Sequence, residues 1–303
     1  MMRLDVATVL LQWAVGGLFF LWVTTRRREV GIGYGWLLRA TYAVLAAGSV
    51  AAGALLGSVP VRDVAGVGVV LASGWALAVS VTRRRAGVAG ERERQDRRAA
   101  RVAAMTEAGS TSQAPPPAVL IPGSGVDTPD PGIRSKGATE FPPALDLVAP
   151  AIGVVGLVAA ALDAGGHPAL ALARTLVGAA FLGAVTDAML LGHWYLVQPG
   201  LARGPLLEQV RLLTILWPFE VGALLVPTGM PAVLSGAIDD GYNGILGWFW
   251  LACALGTLVL CVVTRAALRE RYYSAVMAAT GLLYLAIVTA FGTDLVARAA
   301  LAP

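Results

Sequence analysis

Eight stretches of this chain are apolar enough, and at roughly 20 residues long enough, to cross about 30 Å of hydrocarbon as helices. They cover residues 5–25, 36–58, 64–82, 145–163, 169–197, 206–228, 244–264 and 272–297. A backbone in lipid must satisfy its own hydrogen bonds, so runs of this length dictate helix, and no alternating pattern points to a membrane barrel. The bulk composition agrees. Of 303 residues, 57% are hydrophobic and 14% charged, and the mean hydropathy is +0.70. A soluble domain carries about 25% charge and has too little interior to hide so much apolar surface. The expected fold is an all-α polytopic bundle.

Arginines set the orientation. Arg26, Arg27 and Arg28 follow the first run, Arg83, Arg84 and Arg85 the third, Arg203 the fifth, and Arg265, Arg269 and Arg271 the seventh. The opposite loops hold Arg62 with Asp63, Asp163 with His167, and Asp239 with Asp240. The positive-inside rule makes the first set cytoplasmic, and an even number of spans then leaves both termini outside. The first run is expected to be a retained helix rather than a signal peptide. Its head carries only Arg3 against Asp5, and no small-x-small cleavage site precedes Arg26. Of the 23 basic residues only Lys136 is a lysine, in an Ala/Gly/Val-rich background. That bias suits a GC-rich bacterial gene and places the protein in the bacterial cytoplasmic (inner) membrane.

Residues 83–143 separate a three-helix segment (1–82) from a five-helix segment (144–303). Arg83 to Arg101 hold eight arginines interleaved with Glu91, Glu93 and Asp96, a pattern that can prolong the third helix. From Gly109 the chain turns to Ser, Thr, Pro and Gly, a composition expected to form a flexible cytoplasmic loop. Its arginines fix topology and can attract anionic lipid. Short and without interleaved aromatics, they do not suit nucleic acid. No repeat relates the two segments, which counts mildly against an inverted-repeat transporter.

Within the spans, Arg39, Arg174 and Asp294 lie near helix ends and are expected to snorkel to water or headgroups. Asp187 is ten residues from the end of its run, about 15 Å deep and near the midplane. Gly183 and Ala180, one and two turns back on its face, are small residues of the kind that admit a neighbouring helix. The acid is therefore expected to face protein. Glu220 follows Trp217, Pro218 and Phe219 in the next span, a turn or so beyond Asp187. The hairpin of the two spans can bring both acids together, and two adjacent buried carboxyls cannot both ionise cheaply. Closer to the cytoplasmic end, His193, Trp194 and Tyr195 precede a short turn, and Glu208 and Arg211 at i, i+3 open the next helix. The expected site is a polar cavity rising from the cytoplasmic surface. Asp187, Glu220 and His193 would move protons, and Trp194, Tyr195, Glu208 and Arg211 would bind a ligand.

Several chemistries lack their residues. With two histidines, about 39 Å apart along one helix, bis-histidine haem is not expected. Cys253 and Cys261 lie about 12 Å apart along another, too far to form a disulfide. No metal site, nucleotide loop or hydrolase motif is present. Three functions fit what remains: a membrane subunit that handles a quinone or similar lipophilic redox molecule with proton transfer, a proton-coupled transporter of a small or lipophilic solute, and a non-catalytic scaffold or assembly factor. The partners implied are the lipid bilayer and, for the first and third, other membrane subunits.

Overall fold

The structure is a computed structural model that describes residues 5–83, 100, 141–198, 201–226, 229–270 and 272–301. The segment expected to form the flexible loop lies almost wholly outside these residues. Among the described residues the protein is all helical, an all-α polytopic bundle. The helices are α1 (Val6–Thr25), α2 (Ile32–Leu56), α3 (Pro60–Thr82), α4 (Val148–Asp163), α5 (Pro168–Val197), α6 (Gly204–Leu225), the short α7 (Gly229–Leu234), α8 (Ile245–Ala267) and α9 (Tyr273–Ala300). A 3-10 turn, Pro143–Leu147, leads into α4. Among the described residues seven helical segments, α4 taken with the 3-10 turn that leads into it, are long and apolar enough to cross a membrane. The remaining long helix, α6, forms as 22 residues but carries Glu208, Arg211 and Glu220, and this charge sets it apart from the seven.

The helix starts follow local chemistry. The Asp5 side chain accepts from the Ala7 backbone N–H and caps α1. Pro60 and Pro168 stand at the first positions of α3 and α5, where no N–H is needed. Short connections send α2 back along α1, α3 along α2, α5 along α4, α6 along α5 and α9 along α8. One end of the bundle gathers Arg26–Arg28 and Arg203, the other Asp5, Arg62, Asp63 and Asp240; they are called here the Arg26 end and the Asp5 end.

Helices α1 and α5 form the centre and are the most buried of the spans. Gly16 and Gly183 make the contact possible, because a methyl group on Gly16 would collide with the Ala179 carbonyl and one on Gly183 with the Gly16 backbone. Around this pair, α2 and α4 lie against α1, α6 and α9 against α5, α3 closes on α2 and α4, and α8 packs on α9 and α6. The packing therefore crosses the long 83–143 insertion, since α1 meets α5 and α3 meets α4.

The three charged residues expected to snorkel do not. Arg39, Arg174 and Asp294 are all buried. Arg39 holds Asp146 through Nε and Nη2 at 2.7 and 2.8 Å, pinning α2 to the entrance of α4. Arg298 binds Asp294 at 2.7 and 3.0 Å, one turn apart on α9. Arg174 donates to the carbonyls of Ala223 and Val226 at the end of α6. Each charge has a partner inside the bundle, and burial with that partner replaces the exposure expected from depth alone.

Candidate functional site

Asp187 is fully buried in α5, in the direction its small-residue face implied. Its carboxylate accepts three hydrogen bonds. Thr24 of α1 donates to Oδ2 at 2.5 Å, Gln209 of α6 to the same oxygen at 2.8 Å, and Tyr34 of α2 to Oδ1 at 3.0 Å. Gln209 also donates to Thr24 Oγ1 at 2.6 Å, so amide, hydroxyl and carboxylate form a closed set. Four helices meet at this acid. The donors replace the water lost on burial.

The depth expected for Asp187 is corrected by these partners. Thr24 is the penultimate residue of α1, and Tyr34 lies in the first turn of α2. Asp187 is thus level with the Arg26 end of α1 rather than with the midplane. The reason is length: α5 has 30 residues and α1 has 20, and the excess of α5 projects at this end.

Glu220 does not join it. From Gln209, which touches Asp187, Glu220 is eleven residues further along α6, about 16 Å. It lies in the other half of the bundle, where its charged neighbours are Asp294, Arg298 and Arg174. It is 1% exposed; neither carboxyl oxygen receives a hydrogen bond from a donor group, and the Asp294 carboxyl lies within hydrogen-bonding reach. Gln12 of α1 closes the group from the side. Its amide nitrogen donates to the Thr175 carbonyl at 2.6 Å, and its oxygen is also without a partner. Gly178 leaves the opening: a methyl group there would sit 3.1 Å from Asp294, and 3.3 Å from both Arg298 and Gln12. Between the two polar centres lies an apolar belt containing Phe20, Phe181, Val185 and Leu213.

The other expected site residues are dispersed. His193 is exposed and shares a hydrogen bond with the Tyr284 hydroxyl of α9 at 3.1 Å, away from Glu208. Glu208 pairs with Arg26 at 2.5 Å and Arg27 at 3.3 Å rather than with Arg211, which is exposed. The Tyr195 hydroxyl donates to the Ala202 carbonyl and ties the turn after α5. The Trp194 ring packs 5.7 Å from Tyr34, and its buried indole N–H lacks a partner. One continuous cavity from His193 to Glu220 is therefore replaced by two separate polar centres.

Thr24, Tyr34, Gln209, Gln12 and Arg298 are the residues that sequence reasoning passed over. Only Asp294 and Arg298 carried a readable signal, an acid and a base at i, i+4. Among the described residues no group of three or more His, Cys, Asp or Glu is placed to hold a metal ion. Both cysteines are buried and free. The chain matches no protein family, no curated protein and no solved structure, so the two centres stand on their own geometry.

Proposed function

We propose that the protein is a proton-coupled carrier of a small or lipophilic solute, with Glu220 and Asp187 as its two proton-binding carboxyls. In this reading it crosses a bacterial cytoplasmic membrane eight times, α6 included, with both termini outside. Glu220 then serves the outer side and Asp187 the cytoplasmic side. The observation that carries the reading is the Glu220 carboxyl, buried with no donor to either oxygen and against the Asp294 carboxyl of the Asp294–Arg298 pair. A buried charge whose only role is to fix helix register is stable when its hydrogen bonds are complete, as at Arg39–Asp146. Glu220 breaks that pattern. Its oxygens have no donor, and protonation turns one of them into an O–H that can donate to the adjacent Asp294 carboxylate.

The apolar belt between the centres supports a carrier that moves protons by cycling between two helix arrangements, with or without solute, rather than an open channel. A quinone-handling subunit has less support. Its headgroup would need His193, Trp194, Tyr195 and Glu208 around one space, and these four side chains have separate surroundings.

The test is proton movement into liposomes that contain the full-length protein and a pH-sensitive dye, driven by a potassium–valinomycin potential. The expected result is acidification faster than in protein-free liposomes, abolished by Glu220→Gln. Wild-type flux no greater than the protein-free rate overturns the reading. So does full flux through a folded Glu220→Gln protein.

A further inference from the structure

The surface of the bundle carries a second feature, independent of the two carboxyl centres. A cavity of about 370 Å³ opens sideways between α1, α4 and α5. Its walls include Val15, Gly16 and Phe19 of α1, Ala151 and Val154 of α4, and Ala180 of α5. It is apolar throughout, and Phe19 and Val154 at its rim are 41% and 40% exposed, so it faces the hydrocarbon. From Leu147, at the end of the 3-10 turn, it follows α4 as far as Leu157, a length of about 15 Å. The dimensions are those of a slot for a chain rather than a cup for a compact solute.

One end of the slot leads to a cation. Phe19, in the wall, packs 5.9 Å from Trp22, and the Arg26 guanidinium stacks on Trp22 at 5.4 Å. A continuous ladder thus runs from hydrocarbon to headgroup level, with a tryptophan at the boundary where that residue type is favoured. Charge at this end is unbalanced. Arg26 and Arg27 share the carboxylate of Glu208, and with Arg28 against Glu29 the cluster leaves one net positive charge. The other acid nearby, Asp146, is held by both arms of Arg39. We propose that this slot binds an anionic phospholipid, with one acyl chain along α4 and the phosphate on the Arg26 guanidinium. An apolar chain fits the walls, and a phosphate supplies the charge that Glu208 alone does not.

The test uses the full-length protein, purified in detergent and mixed with phosphatidylglycerol or phosphatidylcholine of the same acyl composition. Native mass spectrometry counts the lipid retained. Wild-type protein is expected to keep phosphatidylglycerol in preference to phosphatidylcholine. Arg26→Gln is expected to weaken that retention roughly tenfold, the size of one lost charge-assisted hydrogen bond. Ala151→Phe fills the slot from its exposed side and is expected to weaken retention of both lipids. Equal retention of the two lipids by wild type overturns the headgroup assignment. Unchanged retention by Ala151→Phe overturns the slot, and unchanged retention by Arg26→Gln overturns the role of that arginine. Thermal melting of each variant confirms that it is folded. Proton flux is a separate readout, so failure here leaves the Glu220 reading standing, and the reverse holds too.

Discussion

Gln209 donates to Asp187 at 2.8 Å, and this bond fixes the register of α6 against α5. Gln209 is five residues into α6, whereas Asp187 is ten residues from the end of α5. The two helices are therefore offset by about five residues at their turn, and the offset carries Glu220 into the far half of the bundle. Counting each acid from its own helix end, as sequence alone allows, places Glu220 only about a turn and a half beyond Asp187. Fixing the register through Gln209 separates them by about 16 Å.

Arg39 and Asp146 form a fully buried two-point ion pair in which each side chain is at most 3% exposed. Arg39→Met leaves the Asp146 carboxylate without its counter-charge and is expected to cost about 3–5 kcal/mol. The double variant Arg39→Met/Asp146→Leu removes both charges and is expected to recover most of that loss. Thermal unfolding in detergent, with wild type and both single variants alongside, measures the coupling. A single variant as stable as wild type would show that the pair contributes nothing.

The proposed orientation makes a labelling prediction. Ser235, exposed in the connection after α7, belongs to the Asp5 end, whereas Ser110 lies in the insertion after α3. A membrane-impermeant thiol reagent added outside intact cells is expected to label Ser235→Cys and to spare Ser110→Cys. The native Cys253 and Cys261 are buried and add little background. The opposite pattern reverses the topology.

Asp240 gives the loop between α7 and α8 a pH dependence. Its carboxylate accepts from the backbone N–H groups of Gly244, Tyr242 and Leu246, at 2.8 to 2.9 Å. These bonds, led by that from Gly244, hold the carboxyl below the ordinary aspartate value. A group with a depressed folded-state value contributes its stabilisation above its unfolded value of about 3.9, and loses it as pH falls through the lower folded value. Amide hydrogen-exchange protection at Tyr242, Gly244 and Leu246 is thus expected to be flat from neutral pH to about 4 and to fall below it. Asp240→Ala is expected to lack that protection at every pH.

How much of this was legible in the residues differs by level. The helix positions follow from apolar run lengths, which respond to the bilayer alone, and α1, α4 and α5 lie within a few residues of their expected bounds. The inward face of Asp187 was equally readable, because Gly183 and Ala180 share it. Its partners were not. Thr24, Tyr34 and Gln209 come from three other helices, and no local pattern in any of them announces a carboxylate 153 or more residues away for two of the three. The fate of Arg39 shows the same limit: distance from a helix end measures access to water, but pairing with Asp146 depends on where α4 packs.

The sharpest remaining prediction concerns Asp187, where a proton-binding role and a structural one lead to different outcomes. Asp187→Asn keeps the shape of the side chain and one acceptor oxygen, but its amide nitrogen faces donors that previously met a carboxylate. Thr24 and Tyr34 are hydroxyls that can rotate to accept from it, whereas the Gln209 amide nitrogen cannot. The expected cost is about 1–3 kcal/mol, leaving a folded and inserted protein. Asp187→Leu removes the carboxylate from all three donors, which keep backbone carbonyls (Phe20 for Thr24 and Gln209, residue 187 itself for Tyr34) at 3.1 to 3.2 Å, and is expected to destabilise more. If Asp187 binds the transported proton, the Asn variant loses dye acidification in liposomes even though its melting temperature remains close to wild type. If the acid only joins four helices, the Asn variant transports normally, and the Leu variant loses flux only in step with its stability. Measured on the same preparations, flux and melting temperature separate these cases, and full proton flux through Asp187→Asn would remove Asp187 from the proton route.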